Sequence, residues 1–233
     1  MIYAGTTLDA KGYDTGIGLS RYNEEYYNSK YEGYTYDNTT SKIDSDAKTE
    51  IDNWYSNVLE GTVYDSDIAT GKFCSDSSEY GYDTEFSAMA GGEVYTFASF
   101  KRNYANMLGR GNASPSFKCL NEMDENIGGG YNLKAGLITL DEIIAAGGQM
   151  AENNSYYLYN GTKGNNDGKM FWSMSPAVFN NGTGIGFVLD NGLAFLIDVN
   201  DPAGSLRPVI NLRSDIIFKS GTDGSITSPY EIE

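Results

Sequence analysis

The chain has 233 residues, with 16 Lys plus Arg, 32 Asp plus Glu and no His, for a formal net charge of −16. The missing His removes Ser-His-Asp and Cys-His nucleophile systems and His-ligated zinc or haem, and two Cys are too few for a four-Cys metal site. Cations scattered through so acidic a chain cannot concentrate the positive field that nucleic acid or an anionic membrane surface requires, so neither is expected as a partner.

With 40% hydrophobic residues, 19 Tyr and 10 Phe, the chain is too aromatic to be disordered. A mean hydropathy of −0.42 and 28 Gly predict extensive loops around a real core. No run approaches the roughly 18–20 apolar residues of a membrane span. Met1 opens directly into a strand-like MIYAG rather than a basic and then apolar leader, so an exported form would be a mature piece or fragment of a longer protein.

Residues 1–40 are short Tyr-rich pieces between Gly and Asn, read as brief strands and loops. From Asp44 the pattern changes. Ala47, Ile51, Trp54, Tyr55, Val58 and Leu59 recur at three- and four-residue steps, Ser45 or Asp46 can cap the start, and Gly61 follows the end. This spacing predicts an amphipathic helix over about 45–59, with Trp54 on its core stripe. The stretch from Gly61 to Gly136 reads as largely irregular, with a short helix around Ser99 to Leu108. Thr139 and Glu142 have capping-box spacing and Gly147-Gly148 supplies a stop, which predicts a second main helix over 140–146. After Tyr156 the segments YYLYN, MFWSMS, GIGFVLD, LAFLIDV, LRPVINL and DIIFKS read as strands separated by Asn-, Gly- and Asp-rich turns, a β-meander. Helices early and strands late imply an α+β fold with twisted antiparallel sheets, and the absence of a Pro- or Ser-rich linker favours one domain over 1–233.

Cys74 and Cys119 lie 119 − 74 = 45 residues apart in loop or strand-end flanks, as either a disulfide or two buried thiols. A disulfide closing such a loop would lower the unfolded-state entropy by about 4 kcal/mol and would imply an oxidising, extracytoplasmic location. A reactive thiol lacks both a CxxC spacing and a His to lower its pKa.

The ordered segments IDNWYSNVL (51–59), KFCSDSS (72–78), PSFKCLNEMD (115–124), GLITLDEIIAAGG (136–148), YYLYNG (156–161), FWSMSP (171–176), LRPVINLRSD (206–215) and SGTDGSITSPYEI (220–232) resemble a family of secreted or surface-attached proteins of gut Firmicutes and their phages. The C-terminal part of that family is similar to the C-type-lectin-like fold shared by formylglycine-generating-enzyme homologues and the variable proteins of diversity-generating retroelements. The resemblance covers nearly the whole chain. It implies that Cys74 and Cys119 form a disulfide, that LRPVINL returns to pair near Met1 to Gly5, and that the strands between Trp172 and Arg207 form a ligand-facing sheet with Arg207 as a structural residue beneath it. Relatives carry a further Trp-bearing strand before the piece matching Met1, so this chain is expected to lack an N-terminal strand and an anchoring region. Formylglycine generation itself is not implied, because its cysteines have no counterpart after Cys119.

Carboxylates are abundant, but nothing in the sequence sets one in an apolar pocket opposite a second, as an acid/base hydrolase needs. Loops at 65–67, 164–169 and 198–201 cluster oxygen ligands of the type calcium favours, though none has EF-hand spacing and turn chemistry accounts for them; calcium is a minor possibility and no other cofactor is expected. Tyr, Asn, Ser and Gly are plentiful in irregular segments, the vocabulary of a paratope. The Tyr residues at 22, 26, 27, 31, 34 and 36 are expected to cap small cores. Within the strand-and-turn region the candidate ligand contacts are Trp172, Phe179, Asn180, Asn181, Phe187, Asp190, Asn191 and Phe195. The favoured expectation is a non-enzymatic extracellular recognition or adhesion module, displayed as part of a larger cell-surface or virion protein and binding a glycan or protein through the face of residues 172–207. The rivals are a hydrolase of glycans or peptides using an Asp/Glu pair, and a structural stalk domain.

Overall fold

The computed structural model describes residues 16–24, 35–37, 42–74, 81–105, 112–118, 130–150, 156, 170–180, 182–189, 191–202, 204–222, 228 and 231–232. The fold is mixed α+β. An antiparallel pair, β1 (Thr35–Asp37) and β2 (Lys42–Asp44), leads into α1 (Asp46–Val58). A 3-10 turn at Asp65–Asp67 is followed by β3 (Ile68–Ala69), β4 (Gly71–Cys74), β5 (Gly81–Tyr82), α2 (Thr84–Ala90), β6 (Tyr95–Thr96) and α3 (Ala98–Asn103). Then come β7 (Gly130–Leu133), β8 (Ala135–Gly136), α4 (Leu140–Ala145), β9 (Gln149–Met150), β10 (Phe171–Phe179), β11 (Thr183–Val188), β12 (Leu193–Asp198) and β13 (Val209–Leu212). The largest sheet runs β5-β6-β10-β11-β12-β9, antiparallel except for the β12–β9 pair.

Helix α1 forms where the apolar spacing places it. Ser45 is the N-cap, its Oγ accepting the Lys48 N–H at 3.1 Å, a contact type that stabilises a helix by about 1 kcal/mol. Ala47, Ile51 and Tyr55 are buried, Trp54 is packed at the edge of the same core, and Val58 is half exposed rather than buried with its stripe. Helix α4 carries the complete capping box: Thr139 Oγ1 accepts the Glu142 N–H at 3.1 Å and Glu142 Oε2 accepts the Thr139 N–H at 2.8 Å.

The central strand β10 is buried on both sides, which its near-continuous apolar and small run FWSMSPAV permits. On one side Trp172, Met174, Ile185 and Phe187 pack with Tyr22 and with Ala47, Ile51 and Tyr55 of α1. On the other, Phe171, Ala177, Val178 and Val188 pack with Phe86 of α2, Phe100 of α3, Tyr104, and Leu140 and Ile143 of α4. A bulge in β10 between Trp172 and Pro176 redirects the strand toward α4. There the Met174 N–H donates to the Ile138 carbonyl at 2.7 Å and Ser175 Oγ accepts the Leu140 N–H at 2.9 Å, so the bulge fixes where α4 begins.

Several expectations need correction. The stretch from 61 to 136 is not irregular: it holds β3 to β8 with α2 and α3, elements too short to leave a clear periodic signal. Helix α3 ends at Asn103, and residues 106–108 of the expected helix lie outside the described ones. The meander is β10-β11-β12 only; β13 leaves it to pair with β3 and β8. Phe218 forms an isolated bridge to Ile232 in place of the expected strand, while 157–160 and Met1 to Gly5 lie outside the described residues. Just before β13, Leu206 and Ser205 form isolated bridges to Gly16 and Leu19.

Candidate functional site

Of the described residues expected to face a ligand, Trp172, Phe187 and Phe195 are neighbours across β10, β11 and β12, while Phe179, Asn180 and Asn191 lie at the strand ends, and the eight do not form one exposed face among the described residues. Trp172 and Phe187 are fully buried. The Trp172 ring meets Phe187 edge-on at 4.6 Å and Tyr22 at 5.5 Å, and its Nε1–H donates to the Ser20 carbonyl at 2.8 Å. Both are core residues, because α1 and the Tyr22 segment cover the face they occupy. Phe195 is half-buried with its ring 6.3 Å from Phe100. Phe179 and Asn180 are half-buried at one end of β11, whereas Asn191 is at the other, its Oδ1 accepting the Leu193 N–H at 3.0 Å as a turn residue does. At about 3.3 Å per residue, the six residues of β11 hold these ends roughly 20 Å apart. Asn181 and Asp190 lie outside the described residues. Arg207 is buried with its guanidinium 4.6 Å above the Phe171 ring, a structural placement.

Concave surfaces among the described residues lie elsewhere: a cavity of about 150 Å³ between β4, the segment 113–118, the start of α4 and β13, and a more open one of about 430 Å³ lined by Leu19, Arg21, Glu24, Asp46, Glu50 and Pro202. Phe73 of β4 forms the floor of the first and is packed so closely under Gly136 that a Cβ there would sit 2.5 Å from the ring. Lys72 and Cys74 continue that wall. From β13, Asn211 lays its amide across Gly71, where an added Cβ would be 1.9 Å from Nδ2. Ser116, Phe117 and Lys118 form the opposite wall, and Phe117 is 75% exposed at the rim.

Among the described residues that wall has no sheet partner, and Asp141 holds it. The buried Asp141 carboxylate accepts hydrogen bonds from Ser99 Oγ at 2.6 Å, Arg102 Nε at 2.8 Å, Asn103 Nδ2 at 2.9 Å and the Ser116 N–H at 2.9 Å, and pairs a second time with Arg102 through Nη2. A buried carboxylate is tolerated only when charge-paired and hydrogen-bonded in this way. Glu142 is committed to the capping box. Among the described residues Asn211 has no side-chain hydrogen bond and the Lys118 ammonium has no ion-pair partner, while Ser116 Oγ accepts the Lys118 N–H at 3.2 Å and keeps its own O–H available.

The Asp65 carboxylate is similarly structural. The Asp65 carboxyl is held below its ordinary value, chiefly because the Tyr55 hydroxyl donates to it at 2.5 Å, with the Gly61 N–H and Lys134 adding to the effect. This uses one oxygen-rich loop considered for calcium, and no metal-holding group of three such side chains occurs among the described residues; 164–169 lies outside them. Cys74 is disulfide-bonded, and the chain's other cysteine, Cys119, lies outside the described residues.

No family model, curated protein or solved structure matches the chain. No described helix is long and apolar enough to cross a membrane. Lys72, Phe117, Lys118, Thr139, Asp141, Glu142 and Asn211 were not singled out as site residues from sequence. The available signal was Phe117 itself, a large aromatic between Pro115 and Lys118 with no periodic apolar neighbours.

Proposed function

We propose that the chain is a non-catalytic recognition module of C-type-lectin-like kind that binds its ligand in the groove between β4, segment 113–118 and α4, rather than on the strand face of residues 172–207. The observation that carries this reading is the exposed Phe117 ring at the rim of a groove whose wall is pinned through Asp141. A rigidly held aromatic beside uncommitted polar groups is what a recognition surface uses. Binding is favoured over hydrolysis because the two carboxylates that line the groove among the described residues, Asp141 and Glu142, are committed to structure. The return of Ser205 and Leu206 to the early chain supports the fold assignment. The disulfide bond at Cys74 supports an extracellular setting on a cell surface or virion.

The test is binding of the oxidised protein to a panel of glycans, mucins and bacterial surfaces, with and without calcium. Saturable binding should be lost in Phe117→Ala and kept in a Phe179→Ala/Asn191→Ala variant. The reverse pattern would return the site to the strand ends, and no binding by folded protein would favour a structural stalk.

A further inference from the structure

We infer that Asn211 reads a pair of neighbouring hydroxyls on a sugar ring whose C–H face lies on Phe117. This rests on the groove being the binding site. Val209 and Asn211 are two residues apart on β13 and so share the strand face that lines the groove. The Asn211 amide lies so close against Gly71 that an added Cβ there would be 1.9 Å from Nδ2, and only a glycine leaves it that room. Seated in this way and half-buried, the amide has no hydrogen-bond partner among the described residues. Polar groups in such positions are normally matched, so an amide accommodated by a close backbone approach and left open is placed for a partner from outside the chain.

The chemistry of the amide defines that partner. It presents an N–H donor and a carbonyl acceptor side by side, and it pairs with a group that offers an acceptor and a donor at the same spacing. Two neighbouring hydroxyls on a ring do so. Phe117 selects what carries them. Its ring is 75% exposed and has no polar atom, so it offers a flat apolar face, which the C–H face of a pyranose covers while the hydroxyls point outward from the ring edge. Size agrees: about 150 Å³ is the volume of an engineered cavity that accepts one benzene, so one six-membered ring enters. A peptide also pairs with an amide, but an added strand is held through a row of main-chain bonds and pockets for alternate side chains, and this groove has room for one such unit. A purely apolar ring would cover Phe117 and desolvate the amide without a partner.

The experiment is an NMR titration of the full oxidised chain with methyl glucoside, methyl galactoside and methyl mannoside. Beside them stand cyclohexanol, which keeps the ring and one hydroxyl, and N-acetylglycine methylamide, which carries the peptide group. At least one glycoside should shift the Asn211 side-chain amide resonances and the backbone amides of 116–118 and 209–211, while cyclohexanol and the peptide probe should not. Affinity for that glycoside should fall about tenfold in Asn211→Ala, the loss of two neutral hydrogen bonds, and also fall in Asn211→Asp, which keeps the shape and removes the donor; the amide spectrum of each variant reports that it is folded. Equal binding of cyclohexanol, binding of the peptide probe in place of the glycosides, no response to any probe, or indifference to both Asn211 variants overturns the inference while leaving the groove in place. Panel binding indifferent to Phe117→Ala overturns the groove reading itself.

Discussion

The Ser116 N–H donates to Asp141 Oδ1 at 2.9 Å, so a carboxylate on the first turn of α4 fixes a wall of the groove that pairs with no described strand. Replacing Asp141 by Asn keeps the shape but removes the charge facing Arg102, whose side chain is mostly buried. Breaking a buried pair from one side costs about 3–5 kcal/mol. Urea denaturation of Asp141→Asn should show a loss of that order, and the amides of 116–118 should shift in the native state. A loss under about 1 kcal/mol would mean that the pair does not hold the wall.

The pairing of Tyr104 and Asp83 sets a pH window. Burial pushes the Asp83 carboxyl up, but the Phe86 N–H, the Tyr104 and Thr96 hydroxyls and nearby Lys101 together outweigh it and hold the group below the usual range. Burial and the same carboxylate push the Tyr104 phenol well above its ordinary value. A depressed carboxyl contributes stability that is present above about pH 4 and lost as pH falls through the folded value; a raised phenol contributes stability that is present below about pH 10 and lost as pH rises through its own. The stability difference between wild type and Tyr104→Phe should therefore be flat at about 1.5–3 kcal/mol near neutrality and shrink on both sides. A difference that does not change with pH would show that the hydrogen bond contributes nothing through ionisation.

Much of the frame was legible in the sequence and little of the site. Helices α1 and α4 were readable because their signals are local: a stripe at helical spacing behind Ser45, and a Thr-Leu-Asp-Glu box. Strands β10 to β12 were readable as apolar runs between turns. Which way their side chains point was not, because Trp172 and Phe187 owe their burial to Tyr22 and α1, more than a hundred residues earlier. Asp141 illustrates the same limit. As a sequence feature it is the acidic first-turn residue of a helix; its role comes from Ser99, Arg102, Asn103 and Ser116, which only the tertiary fold delivers.

Gly204 lies against the Trp172 indole with no room for a methyl, since an added Cβ would be 2.2 Å from Nε1, and Trp172 cannot move while it packs on Phe187 and donates to Ser20. Gly204→Ala should cost about 3 kcal/mol by overpacking and change the Trp emission of the native state. Gly221→Ala meets no atoms within 4 Å, so only its left-handed backbone (φ of 87°) is strained, at a cost of about 1 kcal/mol. Equal losses in the two variants would contradict the placement of Trp172.

Cys74 stands on one wall of the groove and Lys118, the residue before Cys119, on the other, so the proposed Cys74–Cys119 bond would tie the walls together as well as close a long loop. Cross-linking residues 45 apart removes about 4 kcal/mol of unfolded-state entropy on the chain-entropy model. Protein from the native host, titrated for thiols under denaturing, non-reducing conditions, should show none. Reduction should lower the denaturation midpoint correspondingly, and a Cys74→Ser/Cys119→Ser variant should reproduce the reduced curve. It should also bind the glycan panel more weakly than Asp141→Asn predicts from stability alone, because the walls lose their covalent tie. Two free thiols in native material would remove the argument for an oxidising location, while an intact bond whose loss left binding unchanged would place the ligand outside the groove.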